Sequence, residues 1–281
     1  MVAGSDATPS GVGETAIGAA MMRARESLRD HPLFDDPYAA AFVAAAPPVF
    51  EDGPTTDDDP ELARLEAAFE AAVSVRTRFY DEYLLAAAGA GCRQVVLLGA
   101  GLDTRAFRLS WPSATQLFEL DIAEVLAFKE RVLAQVGGEP GCRRTIVATD
   151  LRADWQRALL AAGFKSTERT AWVAEGVLPY LSNDDAHHLL VSVSELSSSG
   201  TTLALDQPCI PEDSLLARAQ AMPVMEDVAS MWQGGLDDNA ILWLRARGWA
   251  VEAIDGAALA AQYARGIGAF SNSDFLTATR L

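Results

Sequence analysis

Val95-Val-Leu-Leu-Gly-Ala-Gly-Leu-Asp-Thr104 decides the fold. An apolar run of strand length meets two glycines one residue apart, and a helical pattern opens behind them. Strands covered on both faces read as continuous apolar runs, so this one belongs inside a sheet. Gly99 and Gly101 lack a Cβ, which lets a ligand approach the backbone, and the helix that follows offers free N–H groups. A strand-to-helix turn that binds nothing would use the same residues. The dinucleotide fingerprint asks for a third glycine at position 104; the chain has Thr104 there, so a dinucleotide pyrophosphate is a poor match.

On either side of this turn the rhythm repeats. Gln94–Leu98, Thr115–Leu120, Thr145–Thr149, Ala171–Ala174 and Thr202–Leu205 are apolar runs of strand length, separated by helical patterns near 122–136, 154–162 and 183–198. Such alternation implies a parallel sheet with right-handed crossovers. After it, residues 211–247 read as helical, Trp249–Ile254 as a strand, 256–264 as a helix and Asp274–Thr279 as a last strand. The expected fold is α/β, a doubly wound, seven-stranded, mostly parallel Rossmann-like sheet whose last strand is antiparallel, with a helical cap. Before the sheet lie helices at 14–29, 38–46 and 61–88, broken by His31-Pro-Leu-Phe-Asp-Asp-Pro-Tyr38 and by the acidic stretch 51–60. The expected organisation is a disordered 1–13, an N-terminal helical cap over 14–88, and an α/β core over 89–281 carrying a cap insertion around 211–235.

Acids stand at the carboxyl ends of three successive strands, where ligands bind in open parallel sheets. Asp121 closes Phe118-Glu-Leu-Asp121, and a carboxylate there can accept both hydroxyls of a ribose. Asp150 follows the third strand and could accept from an adenine amino group while Leu151 packs on the ring. Glu175 follows the fourth, in Ala174-Glu-Gly-Val-Leu-Pro-Tyr180. Each acid also has a structural use as a helix N-cap.

Composition narrows the partners. With 281 residues, 50% hydrophobic, and 22 Lys+Arg against 39 Asp+Glu, the chain carries a net charge of −17. That disfavours nucleic acid and anionic membranes, both of which need clustered cations. Cys92, Cys142 and Cys209, odd in number and widely spaced, suggest neither a disulfide framework nor a metal site. No apolar stretch reaches spanning length and no leader pattern opens the chain, so a cytoplasmic protein is expected.

SVRTRFYDEYL, VVLLGAGLDTRAFRL, FELD, ATDL and AEGVLPYL, in this order, resemble the S-adenosylmethionine-dependent leucine carboxyl methyltransferase family, closest to its actinobacterial branch. ETAIGAAMMRARES, HPLFDDPYAAAF and GWAVEAIDGAALAAQYAR extend the likeness to roughly residues 14–281. The resemblance implies a class I methyltransferase fold, with S-adenosyl-L-methionine as cofactor and S-adenosyl-L-homocysteine as product. It assigns Arg76 to the methionyl carboxylate of the cofactor, Gly99 to the first loop, Asp121 to the ribose, Asp150 with Leu151 to the adenine, and Glu175 to the acid after the fourth strand. Arg78, two residues on, is the rival for the carboxylate. Both arginines could instead be solvated helix charges paired to Glu70 or Asp81.

Methyl transfer from a sulfonium is an in-line displacement in which the protein supplies alignment and exclusion of water. A carboxylate acceptor is already ionised, whereas a phenol or alcohol usually needs a base. His187 and His188 sit mid-helix, one expected exposed and one packed, and His31 lies in a loop. Asp35, Asp36 and Tyr38 could face the pocket or simply form the turn. The catalytic residue is left unassigned. Met21, Met22, Phe34, Phe42, Met222, Met225, Met231 and Trp232 could line a pocket or fill the core. Arg23, Arg25 and Arg29 could steer an anion or form a solvated face. The reading is O-methylation, a carboxylate favoured over a hydroxyl, of a small metabolite such as a polyketide-like acid. A nicotinamide oxidoreductase and a non-catalytic S-adenosylmethionine-binding protein are the rivals. The oligomeric state is left open.

Overall fold

The computed structural model describes residues 12–46, 60–206, 231, 233–236, 239–268 and 275–281. Seven strands form one sheet: β1 Gln94–Leu98, β2 Gln116–Asp121, β3 Arg143–Ala148, β4 Thr170–Ala174, β5 Thr202–Asp206, β6 Trp249–Ile254 and β7 Phe275–Arg280. Their order is β3-β2-β1-β4-β5-β7-β6. The first five are parallel, and β7 enters antiparallel between β5 and β6. The chain therefore reverses direction across the sheet on either side of β1, so the ends of β1 and β4 flank the crevice where such sheets bind ligands. The strands match the expected runs to within one or two residues. The helix expected behind the glycine turn is short, Arg105–Arg108.

Alternation along the strands sorts the core into two layers. Val96, Leu98, Phe118, Leu120, Trp172, Ala174, Leu203 and Leu205 face one side. There they meet helices Trp155–Ala161, Asn183–Glu195 and Ala240–Ala246. Val95, Leu97, Leu117, Ala171, Val173 and Ala204 face the other side. That face is covered by the long helix Pro60–Gly89, numbered α3 after α1 (Val12–Ser27) and α2 (Ala39–Ala45). Phe79, Tyr80, Leu84, Ala87 and Ala88 of α3 lie directly on the sheet. The second half of α3 thus packs on the sheet.

Helices α1 and α2 pack with helix Ala123–Gln135, numbered α5 after α4 (Arg105–Arg108). Ile17, Ala20, Phe42, Phe128, Val132 and Leu133 form that cluster with Leu102 of the glycine turn. Phe42 is therefore core, and Met22 and Phe34 are buried as well. Met222, Met225, Trp232, nearly all of the 211–235 insertion, the acidic stretch up to residue 59 and residues 1–11 lie outside the described residues. Among the described residues, no helix is long and apolar enough to cross a membrane.

A polar bridge ties the N-terminal turn to the glycine loop. Arg23 pairs with Asp36 at 2.9 Å and donates to the Leu102 carbonyl at 2.7 Å, while the Thr104 hydroxyl donates to Asp36 at 2.8 Å. Asp36 also accepts from the Tyr38 and Ala39 N–H groups, so it caps α2 from a fully buried position. Asp35, beside it, is exposed. Burial pushes the Asp36 carboxyl up, but Arg23, Arg108 and the Thr104 hydroxyl outweigh it and hold the group below its ordinary 3.8. A carboxyl depressed in the folded state stabilises above its unfolded pKa and loses that contribution as pH falls through the folded one. Asp36→Asn should therefore cost about 2–3 kcal/mol at neutral pH. The gap to wild type should shrink below about pH 4 in urea titrations run at several pH values. A gap that stays constant into acid would refute the role of this charge.

Candidate functional site

Alternation places the strand-end acids. Continuing β1 as 95, 97, 99, β2 as 117, 119, 121, β4 as 171, 173, 175 and β5 as 202, 204, 206 leaves Gly99, Asp121, Glu175 and Asp206 on the α3 side of the sheet edge. On α3 the stripe Tyr80, Leu84 and Ala87 faces the sheet, and Arg76 falls on it at four residues before Tyr80.

Arg76 reaches into this row of acids. Its Nε donates to Glu175 Oε1 at 3.1 Å, and its Nη1 stands 3.5 Å from Asp206 Oδ2. Among the described residues its two Nη groups donate no hydrogen bond. Gly176 makes room for it: φ there is +63°, and a Cβ would sit 3.3 Å from Nη1. Arg78, half a helical turn away, lies on the surface, donating to Glu82 at 2.7 Å and to the Leu33 carbonyl at 2.8 Å. Of the two rivals, Arg76 is the one brought to the strand ends.

Asp121 holds the glycine turn. Its Oδ2 accepts from the Gly101 N–H at 2.6 Å and its Oδ1 from the Ile122 N–H at 2.7 Å. Burial pushes its carboxyl above the ordinary value despite these two donors. Gly99 and Gly101 both have positive φ, +68° and +47°, which only glycine adopts without strain. Their open Cβ positions face protein: a Cβ on Gly99 would meet Val177 Cγ2 at 2.8 Å, with Leu151 Cδ1 at 4.0 Å, and one on Gly101 would meet Ala16 of α1 at 3.4 Å. Val177 and α1 thus occupy part of the space beside the two glycines. Leu151 is thereby placed beside the turn. Asp150 is half-buried and pairs with Arg152 in its own turn at 2.6 Å, which holds its carboxyl low.

Asp206 and Arg105 were not singled out from the sequence. Asp206 accepts from the Gly176 N–H at 2.8 Å and the Tyr80 hydroxyl at 3.3 Å. Burial first, and then nearby Glu175, push its carboxyl up against the pull of Arg76 and the Gly176 N–H. The rule that flagged three strand-end acids applies equally to the fifth strand, LALD206, and would have found it. Arg105 is fully buried and pairs with Asp81, Asp103 and Glu175. Arg108 takes Asp81 with both Nη groups at 2.6 Å.

Other candidates fall away from the strand ends. Arg23 is committed to Asp36, Arg25 to Glu66 and Glu70, and Arg29 to Glu26 and Glu70. His31 is exposed, with its carbonyl accepting from Arg265. His187 packs edge-on to Trp243 and faces the Asn183 carbonyl, while His188 is exposed.

Residues 16–194 match the family model for leucine carboxyl methyltransferase, well over half of the chain. The chain belongs to the leucine carboxyl methyltransferase family. A Parafrankia protein named as an S-adenosyl-L-methionine-dependent methyltransferase is 45% identical over 264 residues, covering 94% of this chain and 85% of that one. One of the same name from Streptomyces coelicolor is 43% identical over 241 residues, covering 86% and 84%. A crystal structure of a DUF574 family protein from Streptomyces avermitilis superimposes with a TM-score of 0.58 at 16% identity, covering 94% of this chain and 97% of that one, a likeness of fold. This member of the family is an S-adenosylmethionine-dependent methyltransferase with the class I methyltransferase fold.

Proposed function

We propose that this methyltransferase methylates an oxygen of a small metabolite, a carboxylate in preference to a hydroxyl, in the cytoplasm. The free thiols of Cys92 and Cys142 suit that reducing compartment. The residues present fit the cofactor. The Nη edge of Arg76 can take its carboxylate bidentately. Each Asp121 oxygen keeps a lone pair for a ribose hydroxyl beyond the backbone N–H it already accepts. Leu151 and Val177 offer an apolar wall above Gly99 for the purine. Asp150 would have to share Arg152 to meet an adenine amino group. When bound, the cofactor supplies a methyl group on an electrophilic sulfonium.

The observation that carries the choice of acceptor is that the strand-end acids are already engaged. Glu175 sits between two guanidiniums, and Asp121 holds two backbone N–H groups, so both are committed to holding the site. A carboxylate acceptor needs no proton removed and is served by alignment alone. A second reading rests on Asp206, which lies 3.5 Å from Arg76 Nη1 at the same edge and whose carboxyl is pushed up by burial, the direction a base for a hydroxyl acceptor needs.

Labelled methyl groups separate the two. The enzyme is incubated with methyl-labelled S-adenosylmethionine and an actinobacterial metabolite extract, and the products are treated with mild alkali. A methyl ester releases its label as volatile methanol, and kcat/KM should stay flat between about pH 6 and 8. Alkali-stable label, with a rising pH limb that Asp206→Asn removes, would overturn the carboxylate reading.

A further inference from the structure

Arg105 joins three segments that the fold brings together from far apart in the chain. Its Nε donates to Asp81 at 2.6 Å and its Nη2 to the Thr77 carbonyl at 3.1 Å, both on α3. Its Nη1 donates to Asp103 of the glycine loop at 2.5 Å and to Glu175 Oε2, beyond β4, at 2.6 Å. The side chain is 4% exposed, so water does not compete for these donors. Three carboxylates on one guanidinium hold it charged and fixed.

The consequence falls on Glu175. Arginine and carboxylate prefer a two-pronged pair, in which both oxygens are taken by one guanidinium. Left alone with Arg76, Glu175 would take it in that way and consume one of the Nη groups. Here Oε2 is held by Arg105, so only Oε1 reaches Arg76, and it takes Nε. Among the described residues the two Nη groups then donate no hydrogen bond: they lie over Gly176, with Nη1 3.5 Å from Asp206 Oδ2. We propose that Arg105 is a positioning residue for the cofactor's carboxylate: by occupying one oxygen of Glu175, it keeps the Nη edge of Arg76 available. This rests on the reading above that Arg76 meets that carboxylate.

The test compares two ligands by calorimetry. S-adenosylhomocysteine carries the carboxylate; 5′-methylthioadenosine keeps the adenosine and thioether but lacks the amino-acid end. In Arg105→Lys the charge remains but the fork is lost. The affinity for S-adenosylhomocysteine should fall about tenfold, while that for 5′-methylthioadenosine should stay within about twofold. Retained nucleoside binding also shows that the fold is intact. An equal, partial loss of both ligands, or loss of neither, would overturn the proposal. Arg76→Gln is the control for the underlying reading: it should abolish the preference for the carboxylate-bearing ligand. If Arg76→Gln keeps that preference, the assignment of Arg76 is wrong. If Arg76→Gln loses it and Arg105→Lys does not, only the positioning role fails. Should Arg105→Lys bind neither ligand, Glu175→Gln gives the second reading. It keeps an oxygen for Arg76 but gives up the charged tie to Arg105, and it should show the same selective loss. Equal loss of both ligands there counts against the proposal.

Discussion

Asp121→Ala is expected to weaken S-adenosylhomocysteine binding by about ten- to a hundredfold, the cost of about 1–3 kcal/mol for a lost buried acceptor. Two losses add in this variant. The ribose hydroxyls lose their acceptor, and the Gly101 and Ile122 N–H groups lose the carboxylate that sets the turn. Asp121→Asn separates them, because its one remaining side-chain oxygen can still accept from Gly101 and fix the loop. Calorimetry on the three proteins should rank the affinities wild type, Asn, Ala. The pH dependence carries a sign as well. Burial raises the Asp121 carboxyl, so the ionised form that a ribose needs is lost at a pH above the ordinary 3.8. Affinity should fall on acidification through that raised value, and in Asp121→Ala this limb should vanish. Binding by Asp121→Ala equal to wild type would remove Asp121 from the site.

The largest effect on stability is expected two residues back along the same strand, at Glu119. This side chain is fully buried and meets Lys129, also fully buried, at 2.6 Å; Arg144 completes the group with bonds of 2.9 and 2.7 Å. Charges removed from water are tolerated only when paired, and deleting one partner strands the other. Glu119→Ala should therefore cost about 3–5 kcal/mol. The midpoint of urea unfolding reads that loss directly. The paired replacement Glu119→Leu with Lys129→Met should recover most of it, since the stranded cation goes with its partner and Arg144 keeps Glu130 at 2.7 Å. If the single variant costs under about 1 kcal/mol, water reaches the group and the burial argument fails. Lys129 also matters to the site, because its charge helps to hold the Asp103 carboxyl low.

The sequence carried the elements and their order. β1 and β6 were legible to the residue, and the other strands to within two, because an apolar run between glycines and polar turns is a local signal. The antiparallel last strand followed from the changed rhythm after residue 206. The glycine turn, Asp121 and Glu175 were visible for the same reason: a strand's end is marked locally, and an acid there stands out. Helical spacing even showed which of Arg76 and Arg78 shares the sheet-facing stripe, since Arg76 lies one turn before Tyr80 and Leu84 and Arg78 does not.

What only the tertiary structure decided is which charges meet. Arg76 and Glu175 are 99 residues apart in the chain, Arg105 and Glu175 are 70 apart, and Tyr80 and Asp206 are 126 apart. Whether such groups touch depends on the strand order and on where α3 crosses the sheet, and neither leaves a trace in local periodicity. The same holds for the second half of α3, which packs on the sheet. Periodicity tells which face of an element is apolar but not which partner covers it. The partner is chosen by the burial of the whole sheet face, a sum over residues from every part of the chain.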